Sequence, residues 1–162
     1  RWGIIGTGRI GRLHLTNLVR RVEGVEVTAV ADPVVDRALG WLKELGVGGI
    51  HEDYHQVLDR KDVDAVYVCS STATHAQIVV EAARSGKHIF CEKPIDLSVA
   101  KVEEALAAVE DAGVVLQVGF NRRFDHNFAA LRQQVAAGEI GSVQLVRITS
   151  RDPEPPPKIA QS

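Results

Sequence analysis

Short apolar runs recur along this chain, and amphipathic stretches separate them. Trp2-Gly3-Ile4-Ile5, Val25 to Ala31, Asp64 to Cys69, residues 87–91 and Val114 to Val118 each read as a buried strand. Between them the apolar positions take helical spacing. Ile10, Leu13 and Leu18 suit a first helix, residues 34–45 a second and residues 54–59 a short third. A fourth begins after Thr74, where Thr74 and Gln77 have capping-box spacing, and ends near Ser85-Gly86. A fifth, over 98–112, carries Val99, Val102, Leu106 and Val109 on one stripe and stops at Gly113. Continuous apolar strands alternating with amphipathic helices imply a parallel sheet covered on both faces. The expected fold is therefore α/β, a doubly wound parallel-sheet Rossmann domain over residues 1–120.

Beyond that point the pattern changes. Asp125 can cap a helix carrying Phe128, Leu131 and Val135 that ends at Gly138, and Ser142 to Ser150 then alternates polar and apolar residues like a half-buried strand. Such a strand wants an antiparallel partner and a cover. Residues 121–162 are accordingly expected to open an α+β second domain, for substrate binding or oligomerisation, that is mostly absent. The start almost inside the first strand and the Glu154-Pro155-Pro156-Pro157-Lys158 stretch fit a piece of something longer.

Composition narrows the classes of function. With 162 residues, 45% of them hydrophobic, the chain can bury one core and an appendage. A net charge of −2 and a pI near 6.3, with charges interspersed, offer nothing to nucleic acid. No apolar run reaches membrane-spanning length, and no signal peptide is evident. Cys69 and Cys91 have no CxxC spacing and read as reduced core thiols of a cytoplasmic protein.

Chemistry is concentrated at strand ends. Gly6-Thr7-Gly8-Arg9-Ile10-Gly11 follows the first strand and opens the first helix; Asp32, 21 positions after Gly11, closes the second strand. A dinucleotide makes matching demands: bare N–H groups at a helix N-terminus for its pyrophosphate, and a carboxylate for its adenosine ribose. Gly6 permits the turn, Gly8 lets backbone approach the diphosphate, and Gly11 lets helix lie on strand. Three further segments follow. Ser70-Ser71-Thr72-Ala73-Thr74-His75 offers small hydroxyls and a helix start to the cofactor, with ordinary capping by Thr74 compatible. In Cys91-Glu92-Lys93-Pro94, a lysine at a strand end, held by the following proline, can assist proton removal from a hydroxyl, or can simply be a surface lysine. Gly119-Phe120-Asn121-Arg122-Arg123-Phe124-Asp125 offers an amide and guanidinium groups to a polyol, to the cofactor, to a subunit contact or to solvent.

Together these segments resemble the family of glucose–fructose oxidoreductases and inositol dehydrogenases, and the resemblance covers the whole chain. Cys91 to Leu97 and Ser150-Arg151-Asp152-Pro153 look most like inositol 2-dehydrogenases. The resemblance implies oxidation of a ring hydroxyl of a cyclic polyol, myo-inositol foremost, with hydride passing to nicotinamide. Lys93 matches the family's catalytic lysine. Gly6, Gly8, Arg9, Ile10, Gly11 and Asp32 match the cofactor loop and ribose carboxylate, joined by Ser70, Ser71 and Thr72; His75 and Glu92 fall on the nicotinamide side. Asn121, Arg122 and Asp152 fall where such enzymes meet substrate. Asp32 favours NAD over NADP by repelling a 2′-phosphate, and Arg37 softens that preference. A homo-oligomer, dimer or tetramer, is implied for a full-length chain. Two departures stand out: Ser71 replaces a common proline, and the family's Asp-x-x-x-His pair is absent. A stand-alone NAD-binding module and a dehydrogenase of another sugar are the rival readings.

His51-Glu52-Asp53-Tyr54-His55 fits the zinc pattern HExxH, which works only on one continuous helix. The capping-box spacing of Asp53 and Gln56 starts the helix at Tyr54 and leaves His51 outside, so no metal is expected.

Overall fold

A computed structural model describes residues 1–151. Among them run strands β1 (Trp2–Ile5), β2 (Val27–Ala31), β3 (Gly49–His51), β4 (Ala65–Val68), β5 (His88–Cys91) and β6 (Leu116–Val118). The helices are α1 (Arg9–Arg21), α2 (Leu39–Glu44), α3 (His55–Leu58), α4 (Thr72–Arg84), α5 (Val99–Ala112) and α6 (His126–Ala136). The strands form one sheet in the order β3-β2-β1-β4-β5-β6, parallel throughout. This is the doubly wound architecture expected from the sequence. Strand order reverses beside β1, whose last residue, Ile5, lies level with Ala31 on β2 and Val68 on β4. In such sheets the crevice at the reversal point, beyond the strands' C-terminal ends, receives the ligand.

Strand alternation sends side chains to two cores. Ile5, Val66, Val68, Ile89 and Cys91 pack beneath Ile78, Val79, Ala82 and Ala83 of α4 and Ala105 of α5. Ile4 and Val30 face the other way, onto Leu15 and Leu18 of α1 and Leu42 of α2. Burial of each such Leu, Ile or Val contributes about 1.5–3 kcal/mol.

Several expectations shift at element ends. β3 was not anticipated: its three residues are only half-buried and too short for a periodicity signal. The helix expected over 34–45 divides into a 3₁₀ turn, Val35–Ala38, and α2. On α1, Leu13 is 53% exposed while Gly11 and Leu15 are buried. On α5 the buried stripe runs through Val102, Ala105 and Val109; Val99 and Leu106 face solvent, because only the side against α4 is covered. α4 begins at Thr72, after Ser71, so Thr74 sits within the first turn rather than capping it. The Gln77 side chain turns instead to Glu81 and the Tyr54 hydroxyl.

The chain divides into two compact units, Arg1–Phe120 and Asn121–Ser162. In the second, a 3₁₀ turn (Asn121–Phe124) leads into α6, whose first turn is capped by Asp125 accepting from the Asn127 and Phe128 N–H groups. Ser142 to Ser150 is not the strand that its alternation suggests. Its residues are exposed and unpaired, and alternation without a ladder to join gives no strand. Asp152 and the Glu154–Lys158 stretch lie outside the described residues.

Candidate functional site

The glycine loop joins β1 to α1 at the sheet's reversal point. Gly6 turns with φ +97°, and its N–H donates to the Ala31 carbonyl at 2.8 Å. A Cβ on Gly6 would lie 2.6 Å from the Cys69 carbonyl, and one on Gly11 would run into the Gly6 carbonyl oxygen. Side chains at either position would push α1, β1 and the end of β4 apart. Gly8 differs, since a Cβ there would meet nothing within 4 Å. It also precedes α1 with no side-chain cap, and the first turn, with Arg9 exposed and Ile10 half-buried, carries no acid. Uncapped N–H groups at a helix start, beside open space with no negative charge, suit a diphosphate.

Asp32, at the end of β2, faces this loop. Its Oδ2 accepts from the Thr7 N–H at 2.7 Å and the Thr7 hydroxyl at 2.8 Å, and its Oδ1 accepts from the Val34 N–H at 2.9 Å. Partial burial works to raise its carboxyl pKa. The hydrogen bonds from Thr7 and Val34 and the charge of Arg37 outweigh that and hold it below the usual Asp value. A carboxylate has about four acceptor positions, so three such bonds leave room for a ribose hydroxyl. Between this carboxylate and the loop after β4 lies a pocket of about 280 Å³, lined by Gly6, Asp32, Glu52, Tyr54, Ser71 and Thr74 among others. The pocket and the glycine loop fit the adenosine and diphosphate of a dinucleotide.

The loop after β4 spends its hydroxyls on itself. Ser70 Oγ and Thr74 Oγ1 are 2.8 Å apart, and the Thr74 hydroxyl donates to the Ser71 carbonyl. Ser71 is exposed and Thr72 half-buried. His75 does not line the crevice as its motif suggests; it is 2% exposed. Its Nδ1 meets the Pro94 carbonyl at 2.8 Å and its Nε2 the Ser70 carbonyl at 3.0 Å. It therefore shapes the site from beneath, tying the loop after β4 to the turn after β5.

That turn is Glu92-Lys93-Pro94, with a cis Lys93–Pro94 peptide. Glu92 Oε1 meets His14 Nε2 of α1 at 2.7 Å, and Glu92 Oε2 accepts from the Lys93 N–H at 3.2 Å. Lys93 is exposed beyond the end of β5, and among the described residues its ammonium has no hydrogen-bond or ion-pair partner. The neighbouring thiols are no rivals as nucleophiles: burial pushes Cys69 and Cys91 up to about 12.

Asn121 and Arg122 belong to the second unit, where the Arg122 guanidinium lies 5.4 Å over the Phe128 ring and 4.0 Å from Asp125. His51 ends β3 while His55 opens α3, so the HExxH letters do not share a helix. Among the described residues no three metal-binding side chains cluster. Sequence reasoning missed Thr7 and the pairing of His14 with Glu92. Position in the glycine motif pointed toward Thr7, but nothing local linked residues 14 and 92.

A glycine loop at the reversal point of a parallel doubly wound sheet, with an acid closing β2, defines a dinucleotide-binding domain. The model of the Gfo/Idh/MocA oxidoreductase family, NAD-binding Rossmann fold, matches residues 1–120, and the chain belongs to that family. Over 154 residues it is 49% identical to an uncharacterised oxidoreductase, YrbE, of Bacillus subtilis, covering 95% of this chain and 45% of that one. It is 45% identical to the myo-inositol 2-dehydrogenase of Thermotoga maritima, over 97% of this chain and 47% of the relative. Among solved structures, scyllo-inositol dehydrogenase from Lactobacillus casei with bound NAD(H) and scyllo-inositol superposes with a TM-score of 0.82 at 34% identity, covering 86% of this chain and 42% of that one. The chain thus spans less than half the length of these relatives.

Proposed function

We propose that this chain forms the cofactor-binding part of an NAD-dependent dehydrogenase that oxidises a ring hydroxyl of a cyclic polyol, myo-inositol foremost, to the ketone. The observation that carries the reading is the Lys93 ammonium, exposed at the C-terminal end of β5 and without a partner among the described residues, in a fold whose glycine loop suits a dinucleotide. The names of the relatives support the substrate class. When bound, NAD supplies the hydride acceptor. The Gly6–Gly11 loop holds the diphosphate, and Asp32 holds the adenosine ribose and repels a 2′-phosphate. Lys93 takes up the proton of the reacting hydroxyl, which requires its unprotonated form at the moment of transfer.

The test uses the native full-length chain, assayed with NAD and myo-inositol. Lys93→Ala is expected to lower kcat by about 10²- to 10⁴-fold while NADH affinity, read by fluorescence titration, stays within about twofold. An unchanged kcat removes Lys93 from the chemistry. A wild-type protein that binds NADH but turns over no polyol is a binding module instead.

A further inference from the structure

His14 reaches from α1 to the turn that carries Lys93. Its Nε2 lies 2.7 Å from Glu92 Oε1, and the two side chains are only 21% and 15% exposed. The imidazole is held independently of that bond. Its centroid lies 5.1 Å from the Tyr67 ring and 5.3 Å from the Phe90 ring, and those two rings stack at 4.1 Å. Glu92 follows Phe90 by two residues and so shares its face of the sheet. The carboxylate is then confined from two more directions. Its Oε2 accepts the Lys93 N–H, and a Cβ on Gly119 would lie 3.2 Å from Glu92 Cδ and Oε1, so only glycine leaves the carboxylate its ordinary clearance.

Glu92 is a carboxylate one residue from the Lys93 ammonium, close enough in sequence to serve as its counter-ion when released. Here it is engaged elsewhere, and among the described residues the ammonium has no partner. We propose that His14 is a positioning residue: it holds the Glu92 carboxylate against α1, where the second oxygen anchors the Lys93 peptide, and thereby keeps the Lys93 amine unpaired for the substrate. The proposal rests on the reading of Lys93 as proton acceptor. Loss of the imidazole nitrogen frees Glu92 to pair with Lys93 and hold it protonated. An exposed pair of that kind shifts an equilibrium by about two- to fivefold.

The experiment is a double-mutant cycle with two readouts in the native full-length protein. His14→Phe keeps the ring packing and removes the hydrogen bond; His14→Gln keeps a donor of similar reach; Glu92→Gln removes the charge. The first readout is the rate at which an amine-reactive reagent labels Lys93 without ligand, followed by mass spectrometry. The second is kcat and KM with NAD and myo-inositol. His14→Phe is expected to slow labelling and lower kcat about two- to fivefold, with KM and NADH affinity little changed. His14→Gln is expected to restore both, and in the Glu92→Gln background His14→Phe is expected to change neither. His14→Asn, one methylene too short to span to Glu92, is expected to behave as His14→Phe and serves if that variant does not fold. Unchanged labelling in both, or an effect that persists undiminished in the Glu92→Gln background, overturns the proposal. Absence of turnover in the wild type overturns the dehydrogenase reading alone, since labelling still reports on the His14–Glu92 couple.

Discussion

Asp32 is a carboxylate whose ionised form is built into the fold before any ligand arrives. Its partners are the Thr7 N–H and hydroxyl and the Val34 N–H. Because these bonds lower its pKa on folding, the stability it contributes is fully present above the unfolded value of about 3.9. That contribution is lost as pH falls through the lower folded value. Wild type and Asp32→Asn, compared by urea unfolding from neutral pH to about pH 3, are expected to differ most at neutral pH and to converge in acid. The other carboxylates occur in both proteins and cancel, so a gap that stays constant with pH shows that the three bonds contribute nothing through ionisation. The same residue was visible in the sequence as the acid closing the second strand. Its engagement with Thr7 was not, because that contact joins residues 25 apart in the chain.

At the scale of elements, α1 does two things at once. Its N-terminus presents free N–H groups at Gly8, and its buried side, through Leu15 and Leu18, seats it on Ile4 and Val30. The seat determines where the N–H groups point. Leu15 is 0% exposed, so Leu15→Ala should lower unfolding free energy by about 2–5 kcal/mol, measured by denaturant titration. A loss below about 1 kcal/mol would mean that neighbouring side chains collapse into the space. The amphipathic pattern placed this helix correctly but chose Leu13 for its inner face; the 3.6-residue period leaves such a choice open until the partner surface exists. The same ambiguity moved the α5 stripe from Val99 and Leu106 to Ala105, a residue too small to stand out in a hydrophobic pattern.

For the molecule as a whole, cofactor binding and stability should be linked. A ligand that binds only the folded chain at 100 times its Kd adds about 2.7 kcal/mol of stability. Saturating NADH is therefore expected to raise the Tm, NADPH to raise it less, and Asp32→Ala to shrink the difference between them. An equal response to both cofactors in the wild type contradicts the part given to Asp32. No described helix is long and apolar enough to cross a membrane.

Sequence alone determined the class of fold and pointed to the glycine loop after the first strand as the candidate cofactor site. Both depend on local signals: strand and helix periodicities, a glycine spacing, and an acid at a strand end. It left out β3, whose three residues are strand only because β2 lies alongside, and it promised a strand at Ser142 to Ser150 where no ladder forms. Only the tertiary structure decided that His75 is buried between two carbonyls and that His14 closes on Glu92, 78 residues away. A residue's identity states which bonds it can make. Which of them it does make depends on what the packed chain brings within about 3 Å of it.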